Sequence, residues 1–161
     1  LPHGEPTDRK IEAGDLLTLD GGALYNGYCS DFTRTVVVGA EPTARQQALY
    51  DLVLKAQEAA LSGMKPGMTG KEVDALAREV IAAAGYGDNF GHGLGHSLGL
   101  EIHEEPRLSP TDETVLAPGV VYTVEPGLYL TGWGGIRIED VVVVTTNGIE
   151  DLTTSPKRLI P

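Results

Sequence analysis

Residues 16–38, LLTLD-GGALYNGYCS-DFTRTVVV, admit few folds. Two apolar or β-branched runs flank Asn26-Gly27. Asn-Gly tolerates positive φ at both central positions of a two-residue hairpin turn. If that turn closes the hairpin, Asp20 faces Thr33 and Asp31 faces Gly22. Side chains alternate faces along a strand. Asp31 and Thr33 then share a face, and Asp20 and Asp31 become diagonal neighbours on it. Two carboxylates so placed repel unless a shared proton or a bound cation neutralises them.

The helical signals lie downstream. Thr43 with Gln46, and Thr69 with Glu72, are capping boxes. They predict helices over residues 43–61 and 69–84, with Gly85 as the second helix's stop. Leu49, Leu52, Val53, Ala56 and Ala60 form the apolar stripe of the first. Val73, Leu76, Val80, Ile81 and Ala84 form that of the second. Both are expected to cover a core and take no part in a site.

Residues 91–106, GHGLGHSLGLEIHEEP, hold three of the four histidines: His92, His96 and His103. Imidazole is both a common metal ligand and a proton carrier near neutral pH. Alternation over residues 99–104 predicts a strand, residues 106–118 a loop, and residues 120–124 a strand ending at Glu125-Pro126. Residues 134–144 predict one further strand, with Arg137 and Glu139 on one face and Ile136 and Ile138 on the other. Asn147-Gly148 reads as a turn, and the tail from Thr153 as peripheral. Asp20, Asp31, Glu125 and Glu139 thus recur at strand ends or on strand faces, with His96 or His103 to supply nitrogen. Mixed oxygen and nitrogen donors suit Mn, Co, Zn or Fe, and bridging carboxylates suit a pair of ions.

Composition narrows the classes. A chain of 161 residues suits one domain, and 41% hydrophobic content can build a core. The net charge of −11 argues against nucleic-acid and anionic-membrane partners, which need a basic patch. Apolar runs are far too short to span a bilayer, and no signal-peptide pattern appears. One cysteine, Cys29, makes no internal disulfide. A cytoplasmic setting is the expectation.

The motifs LPHGEPTDR, LTLDGGALYNGYCSDFTRT, GHGLGHSLGLEIHEEP, TVEPGLY and GIRIED run in this order along the chain. In wording and spacing the sequence resembles the catalytic portion of the pita-bread metallopeptidases, most of all their Xaa-Pro branch, aminopeptidase P and prolidase. The resemblance implies an α+β pita-bread fold, a curved antiparallel sheet with covering helices. Residues 1–161 would be a partial catalytic domain, lacking the first helices and strand and any N-terminal domain. It implies two divalent ions, Mn first, with Co, Zn or Fe as alternatives. Asp20 would chelate one ion, Asp31 and Glu139 would bridge both, and His96 and Glu125 would complete the second ion's own set of ligands. A hydroxide between the ions would attack the Xaa-Pro bond at a peptide N-terminus, with Glu125 taking the proton of the parent water. His103 would stabilise the oxyanion, His92 and His3 would position the peptide, and Arg137 and Tyr129 would face substrate or support the ligands. Tyr25 and Tyr28 are expected as wall or packing residues, and Glu101, Glu104 and Glu105 as supporting or solvated charges. Partners would be a peptide with proline in second position and the N-terminal segment that completes the fold; a homodimer is compatible with it.

Three rival readings remain at this point. A methionine aminopeptidase shares the chemistry. A metal-free pita-bread enzyme such as creatinase lacks the full ligand set, which this chain keeps. A non-catalytic binding domain, or an inactive fragment, has no need of mutually repelling carboxylates.

Overall fold

The structure, a computed structural model, describes Pro2, Gly4 and residues 7–160. The predicted hairpin forms. Strands β1 (Leu16–Gly21), β2 (Leu24–Tyr25), β3 (Tyr28–Cys29) and β4 (Phe32–Val37) fold back through Asn26 at φ 50° and Gly27 at φ 85°. The register sets Asp20 against Thr33, as the turn dictates. Tyr25 and Tyr28 do not line a wall. They stand exposed at the hairpin's tip, beside exposed Leu24.

Helices α1 (Ala44–Gly63) and α2 (Gly70–Ala83) follow, each with its capping box formed. Ala84 is the cap of α2, and Gly85 (φ 85°) turns the chain beyond it. The Tyr86 amide donates to Ile81 O and the Gly85 amide to Ala82 O, a bonding pattern that closes the last helical turn. Ala84 is exposed rather than part of the apolar face.

The remaining strands are β5 (Gly95–Ser97), β6 (Glu104–Leu108), β7 (Val121–Val124), β8 (Gly127–Leu130), β9 (Gly134–Arg137), β10 (Asp140–Val144) and β11 (Ile149–Asp151). Five form an antiparallel sheet in the order β11-β10-β7-β5-β6. Strands β1–β4, β2–β3 and β8–β9 pair separately. Close approach of β5 to β7 requires glycine at position 95, where a Cβ would meet Thr123 O at 2.0 Å. Helices and sheets share one core, in which Val53, Ala56, Val73, Ala77 and Ile81 pack with Tyr122, Val124, Ile136, Ile138 and Val142. Fully burying each of the larger aliphatic side chains contributes about 2 kcal/mol. Among the described residues, no helix is long and apolar enough to cross a membrane.

Four expectations need correction. The predicted strand over residues 134–144 is two strands, because the chain changes partner at residues 138–139. Strand β9 pairs with β8, β10 pairs with β7, and between them Glu139 bridges to Thr33. Residues 99–103 are bends rather than strand, folded by the Gly99 amide on Glu101 O and the Glu101 amide on Glu104 Oε1. The segment read as loop from Pro106 onward begins with three of the five residues of β6; Pro106 is tolerated because β6 is an edge strand. The tail is anchored rather than peripheral: Leu159 is in the core, and its carbonyl accepts from the Val37 amide.

Candidate metal centre

A cavity of about 200 Å³ opens where the hairpin, the histidine stretch and the β7–β10 region meet. Asp20, Asp31, His92, His96, His103, Glu125, Arg137 and Glu139 all line it. His3 lies outside the described residues. Tyr129 sits one step behind, its hydroxyl bonded to two of the lining groups.

Within the cavity Asp31, His96 and Glu139 form a group whose candidate ligand atoms all lie within 4.8 Å of one another. Glu125 approaches the same imidazole, with Oε1 3.3 Å from His96 Nε2. Asp20 is more exposed and turns to Arg137, whose Nη2 is 2.5 Å from Asp20 Oδ2. Three of the five predicted ligands are therefore grouped, while Glu125 and Asp20 flank them.

The orientation of these groups is set by neighbours. His96 Nδ1 lies 3.0 Å from the Ser97 carbonyl, which can only accept. Nδ1 therefore carries the proton, and Nε2 presents its lone pair to the carboxylates. Two threonines, not named as site residues from the sequence, hold the carboxylates of two predicted ligands. Thr33 Oγ1 donates to Glu139 Oε2 at 2.6 Å. Thr123 Oγ1 donates to Glu125 Oε1 at 3.0 Å and accepts from the His96 amide. Each threonine stands two residues from a carboxylate, on the same strand face, so strand alternation carries a signal for them. Arg107 and Ser109 also line the cavity without having been predicted.

Arg137 links the centre to its surroundings. Its Nη1 donates to Tyr129 Oη at 3.0 Å, and Nε to Thr33 Oγ1 at 3.3 Å. His92 Nδ1 lies 2.7 Å from Gly93 O, so its proton is there. The Tyr129 hydroxyl, 3.1 Å from His92 Nε2, donates to that nitrogen while accepting from Arg137. His103 is exposed at the cavity's mouth, its ring edge-on to His96 at 4.5 Å between centroids.

The helices are not mere covers. Buried Gln57 of α1 donates through Nε2 to Val124 O and Ile138 O, the residues preceding Glu125 and Glu139. Buried Asp74 of α2 accepts from the Leu94 amide, and Arg78 donates to Phe90 O and His92 O. Both helices thereby grip the backbone that carries the centre.

Electrostatics describe a crowded anion cluster. Burial, then the charges of Glu125 and Asp31, hold the Glu139 carboxyl well above the usual carboxylate range. Burial likewise raises Glu125, against the opposing Thr123 hydrogen bond and Arg137 charge. Asp31 is raised by burial and by Asp20, and burial lowers His96. Four carboxyl groups and an imidazole lining one partly buried cavity form a donor set suited to divalent cations.

Residues 1–146 match metallopeptidase family M24. The chain is 55% identical over 160 residues to a protein of Pyrococcus furiosus named Xaa-Pro dipeptidase, covering 99% of the chain and 46% of that relative. The structure superposes on the prolidase of Pyrococcus horikoshii OT3 with a TM-score of 0.95 at 52% identity, covering 99% of this chain and 46% of that one. For the X-Pro aminopeptidase of Thermotoga maritima MSB8 the TM-score is 0.96 at 49% identity, with coverages of 99% and 45%. The fold is thus the α+β pita-bread arrangement of those enzymes. The chain spans just under half the length of the curated relatives it matches.

Proposed function

The chain belongs to metallopeptidase family M24, and from that premise we propose that it is the catalytic portion of a dinuclear metal-dependent peptidase that cleaves the Xaa-Pro bond at peptide N-termini. The observation that carries this reading is the grouping of Asp31, His96 and Glu139 in one cavity, with Glu125 and Asp20 beside them. The names of the relatives, Xaa-Pro dipeptidase, prolidase and X-Pro aminopeptidase, support the substrate class.

Asp20, Asp31, His96, Glu125 and Glu139 hold two divalent ions, with Mn the first choice and Co, Zn or Fe compatible. Bound there, such ions supply Lewis acidity and lower the pKa of a shared water toward neutrality. The protein's own groups do the rest. Glu125 takes a proton from the attacking water at Oε2, the oxygen that Thr123 leaves uncommitted. His103, at the mouth, donates to the oxygen on which negative charge develops. His92, held by Tyr129, and Arg137, held against Asp20, position the peptide.

The same proposal takes residues 1–161 as part of a longer catalytic domain. Exposed Leu19, Leu24, Tyr25 and Tyr28 along the hairpin give it support. They suit a surface on which further protein packs, either a preceding segment or a second copy.

The test is hydrolysis of an Xaa-Pro peptide beside a Met-Ala peptide, using the full-length protein stripped by chelator and resupplied with Mn, Co or Zn. Metal-restored cleavage of the proline substrate, lost in Glu125→Ala, is the expected result. Cleavage of Met-Ala alone would favour the methionine aminopeptidase reading. Cation binding without cleavage of either would favour a binding domain.

A further inference from the structure

Glu139 is held from behind. Its side chain lines the cavity, and Asp140, the next residue, is fully buried and does not. Asp140 Oδ1 accepts from Arg34 Nη2 at 2.8 Å, and its Oδ2 meets Lys157 Nζ and Gln57 Nε2. Arg34 has five N–H donors, and all five are engaged. Nη1 donates to Glu139 O at 2.6 Å and Thr33 O at 2.8 Å. Nη2 donates to Asp140 and to Ser155 O, and Nε to Pro156 O.

One planar guanidinium therefore ties the backbone of Glu139 to the tail. The Glu139 amide donates to Thr33 O, so both faces of this short stretch of backbone are fixed. With the backbone fixed, the Cα–Cβ direction of Glu139 is fixed too, and its carboxylate enters the cavity from a set point. Losing the tail would release two of Arg34's donors and take Lys157 from Asp140.

We propose that Arg34 and Lys157 are positioning residues for Glu139, and that residues 155–159 are a strap energetically coupled to the cation site through them. The inference rests on reading the cavity as a cation site. Coupling of this kind is reciprocal: what the docked strap does for cation affinity, bound cation does for strap docking.

The sign of the effect separates it from simple charge effects. Lys157→Met removes a positive charge and leaves Asp140 less compensated. By Coulomb's law alone, both changes tighten binding of a divalent cation nearby. Loss of positioning weakens it. A purely structural role would lower the melting temperature of the metal-free protein and leave the affinity of the folded protein unchanged.

The experiment is calorimetric titration of Mn²⁺ into chelator-treated full-length protein, wild type, Arg34→Lys and Lys157→Met, each shown folded by its melting curve. Amide exchange of Val37, Ser155 and residues 157–160 is followed with and without Mn²⁺. Expected is a roughly 10-fold weaker Mn²⁺ affinity in each variant. In wild type, Mn²⁺ should slow exchange of the Val37 amide, whose acceptor is Leu159 O. Unchanged or tighter Mn²⁺ binding in Lys157→Met overturns the inference, and so does Val37 exchange indifferent to Mn²⁺. Should Arg34→Lys fail to fold, those two measurements still decide. If wild type takes up no Mn²⁺, Co²⁺ or Zn²⁺ at all, the metal-centre reading fails first, and the inference with it.

Discussion

Thr33 Oγ1 and Glu139 Oε2 stand 2.6 Å apart across 106 positions of sequence, and both residues are buried. Thr33→Val keeps the shape of the side chain and removes the hydroxyl. The Glu139 oxygen then loses its only donor among the hydrogen bonds of the described residues. Cation affinity should fall about 10-fold, and the metal-free protein should lose about 1–2 kcal/mol of stability. Calorimetric titration and denaturant unfolding measure the two separately. Stability lost with affinity intact would mean that Thr33 serves packing alone.

His103 lines the cavity but stands outside the group formed by Asp31, His96 and Glu139. His103→Ala should lower kcat by about 100-fold through loss of an oxyanion donor, with little change in Mn²⁺ affinity. Steady-state kinetics with an Xaa-Pro peptide, beside a metal titration, would show it. A rise in KM alone would make His103 a substrate contact instead.

The hairpin was legible from sequence because all its determinants are local. Asn26-Gly27 chooses the turn, and alternation then places Asp20 opposite Thr33. The capping boxes were legible for the same reason. The break at residues 138–139 was not, because Ile136, Ile138 and Val141–Val144 alternate or run as one strand would, and only the change of pairing partner divides them. The tail escaped because Ser155 and Pro156 act through backbone carbonyls, which every residue type possesses, while Lys157 and Leu159 are single side chains in no periodic pattern. Of the predicted site residues among the described ones, all but Tyr129 line one cavity. Thr33 and Thr123 were readable in principle, two places from Asp31 and Glu125.

Thr43 caps α1, and its side chain accepts from the Gln46 amide at 3.2 Å. Thr43→Ala should cost about 1 kcal/mol, read as a lower denaturant midpoint at an unchanged slope. Activity per folded molecule should not change, since Thr43 is not among the described residues that line the cavity. A change in the slope would point to a wider loosening than the loss of one cap.

Asp15 offers a pH test away from the cavity. The Arg9 guanidinium, in a two-pronged contact, and the Glu12 amide push its carboxyl down to about 2. In the unfolded chain the group returns to its ordinary value of 3.8. Its stabilising contribution is therefore complete above that value and is lost as pH falls through about 2. Carboxyl-carbon resonances titrated by pH should place Asp15 near 2 in wild type and higher in Arg9→Met. An unmoved midpoint would show that the ion pair is not populated in solution.

The bridge from Thr33 to Glu139 also dictates an order of events. The hairpin bearing Asp20 and Asp31 closes over short sequence distances, and such contacts form early. Glu139 and the strap at residues 155–159 must cross more than a hundred positions to reach β4. On the ribosome, where the chain grows from its N-terminus, the first pair of carboxylates exists before the residues that complete the site have been made. Competence for cations should then appear abruptly and late. Refolding followed by pulsed amide exchange would see protection at Tyr28, which pairs with Tyr25 across the turn, precede protection at Cys29 and Glu139, whose amides donate to Gly99 O and Thr33 O.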